Sequence, residues 1–287
     1  MKGAWIGVIG LALTGCFSRP LIRPPGDPEV GVNVRWWGHS CFSFRDSADR
    51  VLLIDPFDDT VGYPTPKVKP DAVLITHEHF DHDAVPRMPL PLGSASPARP
   101  GSDDKGTEGD RRSPPGRPEA AVAPFSIVRS TGIHTAAGIE MIGILADHDD
   151  EGGRRNGTTR IYVWEMGGLR WAHLGDIGQQ ALRADQKAEL GVVDVLFVPV
   201  GGRTTVNAAE AAELVKEIQP KVVIPMHFGT PRTRFFEFDP LGPFQALFER
   251  VKLLPLGGFQ LRHADLPAET TLYIPAPPGD ENTKEIP

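Results

Sequence analysis

The stretch Thr76-His77-Glu78-His79-Phe80-Asp81-His82-Asp83 constrains this chain more than any other, because it continues directly from the apolar run AVLIT at residues 72–76. Imidazoles and carboxylates crowded at the end of a buried strand are costly to place unless they bind something. They are the natural ligands of zinc and similar divalent ions. In the extended geometry of a loop leaving a strand, His77 and His79 can point to one side and hold one ion. Asp81 and His82, further round the turn, can then face a second. The alternative is a solvated histidine-rich loop.

The rest of the chain reads as a layered α/β or α+β domain carrying proline-rich additions. The 287 residues include 29 Pro and 31 Gly, an excess that would argue against a compact core if it were spread evenly. It is not. Residues 86–124 hold nine prolines and no apolar periodicity, which predicts a disordered insertion, whereas 125–198 hold none. Short β-rich runs stand at 32–37, 41–45, 51–54 and 72–76, then at 125–129, 139–145, 159–165, 169–174 and 193–198. A helix is predicted near 178–190. A second follows Asn207, which forms a capping pair with Glu210 before the run that Pro220 stops. The strand KVVIP, a helix around 243–251 and strands near 259–262 and 270–274 close a domain spanning 32–275, and 276–287 is a polar tail. Strands first, then helices and strands interleaved, suit packed layers.

The H-x-H-x-D-H pattern after a buried strand resembles the signature of the metallo-β-lactamase superfamily. That family has three further ligands in order, and matching residues are present: His148 after the 139–145 strand, Asp176 after the 169–174 strand, and His227 after the 221–225 strand. Finer segments resemble the branch of the ascorbate-6-phosphate lactonase-like hydrolases and the N-acyl-phosphatidylethanolamine phospholipase D type. These are Trp37-Gly38-His39-Ser40-Cys41-Phe42, Ile54-Asp55-Pro56-Phe57, the loop from Leu196 to Gly202, and Ile224 to Phe228. The likeness runs from about Val32 to Leu261. The insertion at 86–124 replaces a compact helix and strand of the family pattern.

The resemblance implies a four-layer αββα sandwich and a two-metal site. His77, His79 and His148 would hold one ion, Asp81, His82 and His227 the other, with Asp176 bridging. It also implies a bridging hydroxide that attacks a lactone, an ester or a phosphodiester such as a phospholipid, with Asp81 accepting a proton afterwards. Zinc suits this ligand set, and manganese is a second candidate. His39 and Asp55 are candidates for orienting the ligands from behind, as hydrogen-bonded partners that fix a tautomer. His173 either supports the site or is satisfied by backbone. His134, in a polar turn, and His263 are expected at the surface. Arg203, Arg232 and Arg234 lie near expected ligands, where they either meet an anionic substrate group or are solvated.

Some relatives are excluded by residues. Common β-lactamases of this fold use a cysteine where Asp176 stands, and no cysteine follows Cys41. The diiron relatives carry Glu where His79 stands. A formal charge of -7 offers no footprint for sequence-independent nucleic-acid binding. A rival reading from another class is a non-catalytic metal-binding scaffold of the cell envelope.

The N-terminus reads as an address. Residues 1–15 carry Lys2 and a short apolar stretch, and Leu13-Thr14-Gly15-Cys16 resembles the bacterial lipobox, which predicts a lipoprotein signal peptide and lipidation at Cys16. Residues 16–31 then form a proline-rich tether, and the protein is expected to sit lipid-anchored at the bacterial envelope.

Overall fold

The computed structural model describes residues 30–85, 125–233 and 236–279. The expected signal peptide with Cys16, nearly all of the tether, the 86–124 insertion, Arg234 and most of the tail lie outside these residues. Among the described residues no helix is long and apolar enough to cross a membrane.

Two sheets pack face to face. The first holds β1 (Gly31–Gly38), β2 (Cys41–Arg45), β3 (Val51–Ile54), β4 (Ala72–Leu74), β5 (Ser126–Val128) and, at its far edge, β13 (Phe259–Arg262), in the order β13-β1-β2-β3-β4-β5. The second holds β6 (Gly132–Ala136), β7 (Ile139–Asp147), β8 (Thr158–Met166), β9 (Leu169–His173), β10 (Val195–Pro199), β11 (Val222–Met226), β12 (Val251–Leu253) and β14 (Thr271–Ile274). Its order is β12-β14-β11-β10-β9-β8-β7-β6. The central strands β9, β10 and β11 are buried along their whole length, as strands covered on both faces must be, and they pair in parallel.

Strand alternation decides what faces the seam between the sheets. In β1 the even positions Val32, Val34 and Trp36 point inward, while Trp37 joins a second core on the outer face with Leu53, Phe57, Tyr63 and Ile75. The inner core is largely aromatic. Phe42 meets Phe197 at 4.6 Å between ring centroids, and Phe44 meets Trp164 edge-on at 4.9 Å. The helices α1 (Ala184–Leu190) and α2 (Ala208–Ile218) cover the second sheet, against β7 and β10. Over the first sheet, the cover among the described residues includes the 57–68 segment, with a 3-10 turn at Asp59–Val61, together with Val85, Phe125 and Phe236. The sandwich expected from the sequence is therefore present, with its described helices on one side.

Asn207 caps α2 as predicted: its Oδ1 accepts from the N–H groups of Ala209 and Glu210, and Glu210 Oε2 accepts from the Asn207 N–H at 2.9 Å. Three expectations need correction. The helix near 178–190 begins only at Ala184, because Gln179 is spent on irregular backbone, accepting from Asp147 N–H and donating to the Ala181 carbonyl. The helix around 243–251 is reduced to α3 (Gly242–Gln245), because pairing with β14 draws Val251–Leu253 into a strand. His134 lies in β6 rather than a turn, opposite Met141 in β7; β6 shows only mixed burial, so the apolar pattern of its sequence is weak.

Candidate metal centre

Six strand ends converge on one site. β1, β3 and β4 run in the same direction, as do β7, β9 and β11, as their pairings require. Just past their C-terminal ends stand His39, Asp55 and His77 from the first sheet and His148, Asp176 and His227 from the second. His79, Asp81 and His82 complete the set from the loop that follows His77. Backbone bonds join the halves: His227 N–H donates to the His39 carbonyl at 3.3 Å. His39, Asp55 and His227 are non-glycine residues held at φ 53°, 47° and 52°. Such left-handed backbone costs about 1–3 kcal/mol per residue and persists only where the surroundings impose it.

The donor atoms fall into groups. His77, His79 and His148 form one; His39, Asp81, His82 and His227 form another; His77, His82 and Asp176 form a third, with donors within 4.8 Å of one another in each. Asp176 is the hub. Its Oδ2 lies 3.0 Å from His227 Nε2, 3.2 Å from His82 Nε2, 3.6 Å from His148 Nε2 and 3.8 Å from His77 Nε2. All of these residues are buried except His79, which stands at the rim.

Hydrogen bonds behind the cluster set which nitrogen each ring turns inward. Asp55 accepts from the Thr76 N–H at 2.8 Å, from the Thr76 hydroxyl at 2.7 Å and from His82 Nδ1 at 2.9 Å. Since the Thr76 hydroxyl spends its proton on Asp55, Oγ1 is left to accept from His77 Nδ1 at 3.0 Å. His148 Nδ1 donates to the Thr204 carbonyl at 3.0 Å. His77, His82 and His148 thus spend Nδ1 on these partners and turn Nε2 to the centre, and in His77 and His148 that Nε2 is bare. Asp55 stands behind the cluster, bonded to Thr76 and His82. His39 reaches the cluster itself, with Nε2 3.1 Å from Asp81 Oδ2 and 3.2 Å from His82 Nε2.

The electrostatics fit a cation. Asp55, Asp81 and Asp176 bring three buried carboxylates together. Burial, reinforced by His227, pushes His39 down to about 4, and burial holds His77 well below the usual histidine range. Burial acts the same way on His82, but Asp176, Asp81 and Asp55 outweigh it and raise the imidazole well above that range. Burial also opposes ionisation of Asp176, yet His227 and His82 hold its carboxyl well below the usual carboxylate range. Negative charge therefore exceeds what one imidazolium balances. Moreover, His77 Nε2, His148 Nε2 and Asp176 Oδ1 are buried without a hydrogen-bond partner. Buried charges and bare donors of this kind are compensated by pairing or by metal coordination. Imidazole with carboxylate is a donor set for zinc or manganese, so the residues fit divalent ions.

The chain can now be placed among known proteins. Residues 33–227 match the β-lactamase superfamily domain family. A UPF0173 protein of Pyrococcus furiosus is 30% identical over 216 residues, covering 73% of this chain and 87% of that protein. The chain belongs to the metallo-β-lactamase superfamily, within the UPF0173 family. A UPF0173 metal-dependent hydrolase of Thermoplasma acidophilum is 30% identical over 212 residues, 69% of this chain and 84% of its own length. A solved structure from Thermotoga maritima, described as a Zn-dependent hydrolase of the metallo-β-lactamase superfamily, is 25% identical with a TM-score of 0.59 and covers 85% of this chain and 98% of its own. His77, His79, Asp81, His82, His148, Asp176 and His227, the residues that the superfamily resemblance singles out, all fall in the donor groups described above.

Two residues add to what the motif indicated. Thr76 precedes the first ligand, and its hydroxyl position in the sequence was the available signal. The Thr204 carbonyl carried none, because backbone acceptors are anonymous in sequence. Among the residues left open, His173 is satisfied by backbone: Nε2 donates to the Ser40 carbonyl at 3.0 Å and Nδ1 accepts from Gly175 N–H. Arg203 pairs with Glu237 at 2.6 Å. His263 is exposed.

Proposed function

We propose that this protein is a metal-dependent hydrolase with a two-metal centre, acting on a lactone, an ester or a phosphodiester. The observation that carries this reading is the position of Asp176 Oδ2, within 3.0 to 3.8 Å of four histidine nitrogens drawn from both donor groups. His77, His79 and His148 would hold one ion, Asp81, His82 and His227 the other, with Asp176 between them. Two divalent ions, zinc or manganese, supply Lewis acidity to a substrate oxygen and lower the pKa of an attacking water. The relatives named metal-dependent hydrolases support this chemistry, and the lactonase-like and phospholipase D-like motifs support the substrate range.

The chain's own residues orient and exclude. Asp55 and Thr76 fix the rings of His82 and His77, so the donors need no rearrangement. Asp81 takes the proton-accepting position. Its side chain is 11% exposed, whereas those of Asp55 and Asp176 are 0% and 3%, so Asp81 is the carboxylate that solvent and substrate can reach. His39, bonded to Asp81 Oδ2, keeps that oxygen facing the centre.

Metal analysis followed by assay on a lactone, ester and phosphodiester panel tests the reading. Two ions per chain are expected, with turnover abolished in His79→Ala and Asp176→Ala. Metal bound without turnover on any member of the panel would favour the envelope scaffold instead. We also propose, on Leu13-Thr14-Gly15-Cys16 alone, that the protein is a lipid-anchored envelope protein. Detergent-phase partitioning that Cys16→Ser leaves unchanged would remove that proposal.

A further inference from the structure

Phe80 stands on the ligand loop between His79 and Asp81, and 52% of its surface is exposed. A phenyl ring gains least in such a place, and it is not alone. Phe80 stacks on Phe236 at 6.1 Å with planes 17° apart, and Phe236 stacks on Phe238 at 5.0 Å and 6°. Phe238 in turn lies 5.6 Å and 22° from the His39 ring and 4.3 Å from the His227 ring. An apolar strip of near-parallel rings therefore runs from the exposed rim to the second donor group.

The strip is fastened rather than loose. Arg203 Nη1 donates to the Phe236 carbonyl at 2.8 Å and pairs with Glu237, so its charge is committed to holding this loop. Phe236 also packs on the outer core of the first sheet. Exposed aromatic surface continuous with a polar, buried catalytic cluster is the usual make-up of a substrate pocket: apolar walls for most of the ligand and a few polar groups for its reactive part.

We infer that Phe80, Phe236 and Phe238 form an apolar subsite, and that the group beside the scissile bond is a bulky apolar one of aryl size rather than a sugar or a charged head. This rests on the metal-dependent hydrolase reading above. The strip selects substrates by binding and leaves bond cleavage to the cluster beside it.

Calorimetric titration of the metal-loaded full chain with phenylphosphonate and with methylphosphonate tests it. Both probes offer the same oxygens to the metal centre, and only the ring reads the strip. Phenylphosphonate is expected to bind about ten-fold more tightly, the order that burying a phenyl face supplies. In Phe80→Ala and in Phe236→Ala the ratio falls toward one while methylphosphonate binding stays at its wild-type value. Phe80→Leu, which keeps an apolar side chain, retains most of the preference and guards against a merely structural loss. A ratio near one in the wild type, or one that the Phe80 and Phe236 variants leave unchanged, overturns the subsite while methylphosphonate binding leaves the metal centre standing. If neither phosphonate binds the metal-loaded protein, the hydrolase reading falls and the subsite with it.

Discussion

The Thr76 hydroxyl donates to Asp55 Oδ2 at 2.7 Å and accepts from His77 Nδ1 at 3.0 Å. With His82 Nδ1 on the same carboxylate, Asp55 orients one histidine from each of two donor groups, directly for His82 and through a hydroxyl for His77. Asp55→Asn is expected to weaken metal binding by about ten- to a hundred-fold, as loss of such supporting partners generally does. Chelator competition measures it, with circular dichroism as the control for folding. Thr76→Val should cost less, and Thr76→Ser should restore wild-type affinity. If both the Asn and the Val variants keep that affinity, the relay does not orient the ligands.

Metal removal should be visible in stability. Three buried carboxylates gather at the centre, so an ion bound there stabilises the folded chain by about 2.7 kcal/mol at a hundred times its dissociation constant. Adding a chelator should lower Tm, and readdition of zinc or manganese should restore it. Asp176→Ala should lose most of this response, because the hub oxygen that faces both donor groups is gone. A chelator-insensitive Tm would speak against a resident ion.

Gly201 has no room for a side chain. A Cβ built there would stand 2.0 Å from the carbonyl oxygen of His227, whose ring belongs to the donor cluster. Gly201→Ala should therefore displace His227 as well as destabilise the fold, lowering metal affinity more than a surface substitution of similar thermal cost. Equal losses in the two kinds of variant would sink the idea.

Asp149, directly after His148, accepts four backbone N–H groups, from Glu151, Gly153, Arg155 and Asn156, at 2.7 to 2.8 Å. The Asn156 bond, the strongest influence, and the other three together hold its carboxyl well below the usual carboxylate range, against the effect of burial. A carboxyl depressed in the folded state stabilises fully above its unfolded value of about 4, and that contribution is lost as pH falls toward the folded value. Asp149→Asn should thus be less stable than wild type at pH 7, with the gap narrowing on acidification. Denaturant melts at pH 7 and pH 3 check the sign, and a gap that widens in acid would contradict it.

The cluster was legible in the chain because His77, His148, Asp176 and His227 each follow a recognisable strand, as with AVLIT before His77 and KVVIP before Met226 and His227. The cap at Asn207 was legible for the same local reason. What escaped depends on distant partners. β12 exists because Leu272 and Ile274 pair with it, and nothing in Val251-Lys252-Leu253 alone distinguishes a strand from a helix end. His39 reads as a supporting residue in Gly38-His39-Ser40, but how close the turn after β1 brings its Nε2 to Asp81 and His82 follows from a backbone conformation that sequence does not print. The proline-free block at 125–198 did mark a run of strands of the second sheet, since β7, β8 and β9 all fall inside it.

Because three strand ends from each sheet meet at one cluster, the geometry of the centre is a measure of how the two sheets sit on each other. Each sheet keeps its own register by hydrogen bonding, but away from the bonds that His227 and Arg160 make across to His39 and Thr76, the spacing between them rests on side-chain volume at contacts such as Phe42 with Phe197 and Phe44 with Trp164. The cluster works as a vernier scale: a change of spacing in the aromatic seam is read as a change in the separation of His77 from His227. Catalytic competence would then fail before thermal stability does. Seam variants that still fold would be repaired by a compensating change of volume across the interface, far from any ligand.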